Sequence, residues 1–159
     1  MRYHLFICRH GEAQTPSFHQ ADFDRDLTEK GKAQAVQAGK WLQQTGLKPD
    51  QIVCSSALRT LSTASIIANQ FTINQDAILP IRDLYNASLT QLLRSLSALD
   101  KNRFVILLVG HNPGVSELIA TLSGTYKGNV PTGSMHHLWF EMDNWTELEY
   151  TLAQGHEPN

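Results

Sequence analysis

Tyr3-His4-Leu5-Phe6-Ile7-Cys8-Arg9-His10-Gly11 is the stretch that decides how the chain folds. Residues 3–8 form a continuous apolar run, the pattern of a strand covered on both faces. The run breaks abruptly at Arg9-His10-Gly11, which delivers two reactive side chains to the carboxyl end of that strand. A strand buried on both sides needs helices above and below it, so the residues that follow should alternate between strand and helix.

They do. A polar loop covers 11–25. Thr28 is a good N-cap for a helix whose Ala35, Ala38, Gly39 and Leu42 fall at i, i+3, i+4 and i+7; Gly46 and Pro49 end it. Residues 51–54 predict a short strand, with Ser55 or Ser56 capping a helix that buries Ala57, Leu61, Ala64, Ala68 and Phe71. Residues 77–80 predict another short strand. Ser88 and Gln91 have capping-box spacing ahead of Leu89, Leu92, Leu93, Leu96 and Leu99. Residues 104–109 are the strongest strand. Asn112 then caps a helix that has Pro113 at its first position and Val115, Leu118, Ile119 and Leu122 facing inward. Residues 136–142 and 146–152 alternate around Asp143-Asn144, which predicts a late antiparallel hairpin; on that reading Glu147 and Glu149 would guard the edge. The expected fold is an α/β three-layer α/β/α sandwich, with a mostly parallel central sheet and a C-terminal antiparallel hairpin. Residues 1–159 are expected to form a single domain.

Composition narrows the function. The chain has 42% hydrophobic and 18% charged residues, an ordinary globular balance, and a net charge of -2. No basic run interleaved with aromatics suggests a nucleic-acid partner. The longest apolar stretch, 104–109, is too short to span a membrane. The N-terminus reads straight into a strand without a cleavable small-residue site, which predicts a cytoplasmic protein. Cys8 and Cys54 lie in strand-like runs and are expected to be reduced and buried.

The reactive residues collect at strand ends. Arg9 and His10 follow the first strand, Arg59 lies in the first turn after the second, and His111 follows the strongest. In an open α/β sheet ligands bind beyond the carboxyl ends of the strands. Two arginines and two histidines from three distant segments should therefore share one rim. Guanidinium forks match phosphate oxygens. Amides at the helix start, including the Asn112 backbone, favour an anion. Nearby arginines keep an imidazole neutral, so His10 can attack phosphorus and form a phosphohistidine that water hydrolyses. His111 would stabilise charge on the equatorial oxygens. Gly11 should let the backbone turn tightly beside His10.

Arg9-His10-Gly11-Glu12-Ala13 resembles the RHG motif of the histidine phosphatase, or phosphoglycerate mutase-like, superfamily. The resemblance continues in order through 24–31, Ser55-Ser56-Ala57-Leu58-Arg59-Thr60, Thr63-Ala64, Val109-Gly110-His111-Asn112-Pro113-Gly114 and Pro131-Thr132-Gly133. Within the superfamily the chain looks most like SixA-type phosphohistidine phosphatases. The resemblance implies the phosphoglycerate mutase-like fold, with His10 as nucleophile and Arg9, Arg59 and His111 as the phosphate pocket. It also implies no metal and no cofactor. The chain departs from the pattern where Ser56 replaces a usual proline, and 14–20 lacks the asparagine-rich segment of the mutases.

Asp83 is the nearest candidate for a general acid, though it also reads as a turn residue. Glu12 reads equally as a loop charge or a substrate contact. His136 and His137 are neighbours on a strand, point to opposite faces and cannot share a metal. Cys54 and Arg59 fall one residue short of a cysteine-phosphatase loop and lack its glycines, so Cys54 reads as core. Only 27 residues separate Asp83 from His111, too few for a substantial cap between them, which predicts a shallow, open pocket. The expected partner is a phosphorylated protein carrying phosphohistidine, such as a phosphotransfer domain. A small phosphate ester handled by a phosphomonoesterase or mutase is the alternative, and a non-catalytic phosphate-binding module is the third reading.

Overall fold

In a computed structural model describing residues 1–159, the opening apolar run becomes β1 (Arg2–Arg9). Behind it come α1 (Glu29–Gln44), β2 (Gln51–Ser55), α2 (Leu58–Asn69), β3 (Ile78–Ile81) and α3 (Leu89–Ser97). The chain closes with β4 (Val105–Gly110), α4 (Gly114–Ser123), β5 (Met135–Glu141) and β6 (Gly155–Pro158). The six strands form one sheet in the order β3-β2-β4-β1-β5-β6. β1 pairs with β4 in parallel, β2 pairs in parallel with both β3 and β4, and β5 runs antiparallel to β1 and β6. This is the expected α/β sandwich. No helix is long and apolar enough to cross a membrane.

The burial of β1 explains its unbroken apolar run. Tyr3, Leu5 and Ile7 face one core with residues of α3, α4, Leu138 and Phe140. Phe6 and Cys8 face the other, with Ala38 and Leu42 of α1, Ala64 and Ile67 of α2, and Ile52 and Cys54 of β2. Each fully buried aliphatic or phenyl side chain contributes about 1.5–3 kcal/mol of transfer free energy, so both faces of β1 hold the sheet to its helices. The Thr28 hydroxyl accepts from Gly31 N, and the Ser88/Gln91 capping box is complete, both as predicted.

Three local expectations are corrected. Residues 146–152 are not a strand: Trp145–Tyr150 is a 3₁₀ turn, and Asp143-Asn144 does not close a hairpin. The winning pattern is i, i+3. Trp145 and Leu148 are both fully buried, and the indole donates to Arg103 O at 2.8 Å. Tyr150 and Leu152, which should have faced inward on a strand, are exposed. The partner of β5 is instead β6, whose Gly155 lies where a Cβ would collide with the Trp139 ring. An edge strand tolerates the terminal Pro158, and the edge is formed by β6 rather than by a strand carrying Glu147 and Glu149. Second, neither Ser55 nor Ser56 caps α2. Ala57 occupies the cap position, and Ser55 belongs to β2. Third, α4 starts one residue later than expected, with Pro113 in the cap position. The Asn112 carboxamide still accepts from Ser116 N at 3.2 Å.

Candidate active site

The carboxyl ends of β1 and β4 and the first turn of α2 converge on a cleft of about 350 Å³. Arg9, His10, Arg59, His111 and Asn112 all line it, together with Glu12, Ala13, Arg25 and Thr132. The structure therefore brings together every expected site residue except Asp83. Asp83 is exposed on the 3₁₀ turn Arg82–Leu84 and does not line the cleft.

His10 is held on three sides. Its N–H donates to Gly110 O at 3.1 Å, its carbonyl accepts from Gly133 N at 3.0 Å, and its ring Nδ1 lies 2.7 Å from Gly11 O. A carbonyl oxygen only accepts, so Nδ1 carries the proton and Nε2 keeps the lone pair. Burial, with the charges of Arg59, Arg9 and Arg25, outweighs the Gly11 carbonyl and pulls His10 from 6.5 down to about 4. The imidazole is thus neutral at physiological pH, with the Nε2 lone pair free.

Gly11 is glycine for a different reason from the one expected. Its φ is not positive; a Cβ there would strike the Gly31 backbone, and a Cβ on Gly31 would strike the Glu12 carbonyl. The two glycines let the start of α1 pack backbone to backbone against the segment carrying His10. Gly11 N also donates to Thr63 Oγ1 at 3.1 Å, which ties that segment to α2.

His111 stands edge-on to His10, with ring centroids 5.3 Å apart. Burial first, then His10 and Arg59, lowers it to about 3, so it too is neutral. Its Nε2 lies 2.8 Å from Ser55 Oγ, and that oxygen already accepts from Ala57 N at 3.2 Å. The hydroxyl proton is then free to point to Nε2, and in that tautomer the buried Nδ1 carries a proton that meets no partner. Sequence reasoning assigned Ser55 to a cap; its contact with His111, 56 residues away, has no local signature.

Arg9 donates through Nη1 to Val130 O at 2.9 Å, and Arg59 through Nη1 and Nη2 to Asp22. Arg9 Nε, Arg59 Nε and His111 Nδ1 are buried without a hydrogen-bond partner. Buried donors of this kind are costly unless an acceptor meets them. Three of them sit on residues lining one cleft, an arrangement that could meet a multidentate anion. The amides of Val115 and Ser116 are already bonded to His111 O and Asn112 Oδ1, so the α4 start offers its dipole more than a row of free N–H groups.

The pocket is deeper than expected: His10, Arg59 and His111 are 8%, 4% and 5% exposed. α3 and β4 do consume the chain between Asp83 and His111, but cover comes from the other side. The segment 13–27, closed at its base by the Ala13–Leu27 bridge, brings Arg25 and Asp22 to the rim. Cys8 and Cys54 are free and buried, and burial pushes both thiols up to about 12, so neither is a nucleophile at neutral pH. No three His, Cys, Asp or Glu side chains converge as a set that could hold a metal ion.

Comparison with known proteins agrees with the motifs. Residues 5–80 match the histidine phosphatase superfamily (branch 1). A protein from Nakamurella multipartitia assigned as phosphohistidine phosphatase SixA has the same fold, with a TM-score of 0.84 at 22% identity, over 99% of this chain and 96% of that one. An Agrobacterium tumefaciens protein assigned as SixA superposes with a TM-score of 0.78 at 26% identity, over 86% and 93% of the two chains. A 2,3-bisphosphoglycerate-dependent phosphoglycerate mutase of Corynebacterium kroppenstedtii is 39% identical over 67 residues, 41% of this chain and 27% of the mutase. The chain spans about a quarter of the length of the first curated relatives it matches. The resemblance to the histidine phosphatase superfamily, and to SixA-type folds within it, therefore stands in sequence and in structure.

Proposed function

We propose that this chain, similar to the histidine phosphatase superfamily, is a phosphatase acting through a covalent intermediate on His10, with phosphohistidine in a protein as its substrate. The observation that carries the reading is the set of three unpartnered buried polar atoms, Arg9 Nε, Arg59 Nε and His111 Nδ1, on residues that line one cleft with a neutral imidazole. His10 Nε2 attacks phosphorus, the bond from phosphorus to the leaving atom breaks, and that atom takes a proton from solvent. Arg9, Arg59 and His111 stabilise the charge spread over the equatorial oxygens. Water then attacks the phosphohistidine, releasing phosphate and restoring the neutral ring.

The carboxylates at the rim support the substrate class. The hydrogen bond from Tyr85, with those from Arg25 and the charge of Arg59, holds Asp22 ionised well below the usual carboxylate range, so it cannot donate a proton. Asp83 is exposed and does not line the cleft, and Glu12, which does, stands 3.6 Å from Lys30 Nζ. An imidazole leaving group, itself basic near neutral pH, demands less acid assistance than an alkoxide.

The test pairs trapping with a substrate panel. Wild-type protein exposed to ³²P-labelled phosphohistidine protein should form an acid-labile phosphoenzyme that His10→Ala cannot form. Turnover of that substrate should exceed turnover of sugar phosphates and simple phosphate esters. Label recovered on Ser or Cys would overturn the nucleophile; preference for one sugar phosphate would favour the small-molecule reading suggested by the mutase relative. A protein that binds phosphate without turning over either class would be a binding module.

A further inference from the structure

Asp22 lies outside every motif, yet two arginines and a tyrosine donate to it. Arg59 Nη1 donates to its carbonyl at 2.8 Å, and Arg59 Nη2 to its Oδ2 at 3.1 Å. Arg25 Nε and Nη2 donate to Oδ1 at 2.9 and 2.7 Å, and the Tyr85 hydroxyl donates to Oδ2. Arg25 Nη1 is tied in turn to Gln14 O at 2.6 Å. Aromatic packing supports the assembly: Phe23 meets the Tyr85 ring edge-on at 5.1 Å, and the Arg82 guanidinium lies 5.2 Å over Phe23. Tyr85 also stands edge-on to His111 at 5.6 Å, with the Arg59 guanidinium 5.8 Å from its ring.

The geometry at Arg59 tells what this does. A guanidinium presents two forks, an end formed by Nη1 and Nη2 and a side formed by Nε and one Nη. Asp22 takes the end fork with one carbonyl and one carboxylate oxygen. The side fork remains, and its Nε is a buried, unpartnered donor on a residue that lines the cleft. One residue thus fixes the plane of Arg59 through its carbonyl and its carboxylate together, and the same carboxylate holds Arg25, which lines the cleft.

We propose that Asp22, braced by Tyr85, is a positioning residue that clamps Arg59 and Arg25 so that the Arg59 side fork faces the phosphoryl group. The clamp rests on the phosphate-site reading above and names what preorganises it. An arginine ordered in advance loses less conformational entropy when the anion arrives. The opposite role would be that of a competitor, an internal anion that phosphate must displace; the free side fork argues against it, because both anions can be held at once.

Titration with inorganic phosphate separates the two roles. Losing a charge-assisted contact that orients a guanidinium should weaken phosphate binding about tenfold or more in Asp22→Ala, with a smaller loss in Tyr85→Phe. With the phosphohistidine substrate, KM should rise more than kcat falls. Asp22→Asn, which keeps an acceptor, should recover part of the affinity. The ¹⁵N resonance of Arg59 Nε–H, sharp in the wild type, should broaden in Asp22→Ala while the unfolding midpoint hardly moves, since the Asp22 side chain is 45% exposed. Unchanged or tighter phosphate binding in Asp22→Ala would overturn the clamp. Failure of the catalytic reading looks different: wild-type protein binds phosphate but forms no phosphohistidine. Wild-type protein that binds no phosphate would overturn both.

Discussion

At His10, one hydrogen bond decides the chemistry. The Gly11 carbonyl fixes the proton on Nδ1, and burial among three arginines makes a second proton unfavourable. The consequence is measurable. The His10 ring should show no protonation shift near 6.5 in an NMR titration and should titrate only as pH falls toward about 4. A midpoint at the ordinary histidine value would mean that the ring is not buried among the arginines as described. Arg9, His10, Arg59 and His111 were all legible in the sequence because each ends a strand, directly follows one or lies in the first turn of a helix, and that register sends them to one rim. Asp22, Tyr85 and Ser55 were not legible. Their partners lie 37, 63 and 56 residues away, and nothing local distinguishes them from loop or cap residues.

Among the elements, α1 is the one packed backbone to backbone against the segment that carries His10. The close approach of Gly31 to Glu12 leaves no space for a side chain, and both contacting groups are backbone, which cannot swing away. Gly31→Ala should therefore destabilise the protein by about 1–3 kcal/mol, read as a lower urea midpoint, and should slow phosphoenzyme formation by displacing the His10–Glu12 segment. Gly39→Ala on the same helix meets only the end of the Gln70 side chain and should cost less. Equal midpoints for both variants would contradict this packing. The late segment teaches the complementary lesson. Its alternating apolar residues fit a strand on paper, but a buried indole with a carbonyl partner, and a leucine three residues on, secure a 3₁₀ turn instead. Alternation describes one face; it does not say whether a face is there to be covered.

Across the whole molecule, four histidines pair around β5: His136 with His156 at 2.7 Å and His4 with His137 at 2.9 Å, on opposite faces of the sheet. Burial first, then the neighbouring ring, pulls His136 and His137 from 6.5 to about 4, and burial lowers His4 and His156 as well. A folded-state value below the unfolded one means the unfolded chain binds more protons as pH drops, so stability is full above about 6.5 and drains toward about 4. Urea midpoints should fall between about pH 7 and about pH 5, before most carboxylates protonate. A flat profile over that range would show that the pairs do not resist protonation.

The sequence by itself determined the three-layer α/β/α class, the core faces of β1, and the arrival of two arginines and two histidines at one end of the sheet. Periodicity, caps and strand-end register are local properties, and local properties can be read along a chain. Only the tertiary structure decided that β6 rather than 146–152 completes the sheet and that Gly11 serves a backbone contact instead of a turn. It also decided that the pocket is covered from 13–27 and that the Asp22 carboxylate meets two arginines of the cleft. Each of these depends on two segments competing for the same volume or sharing the same hydrogen-bond partner, and that contest is settled in space, where sequence separation carries no weight.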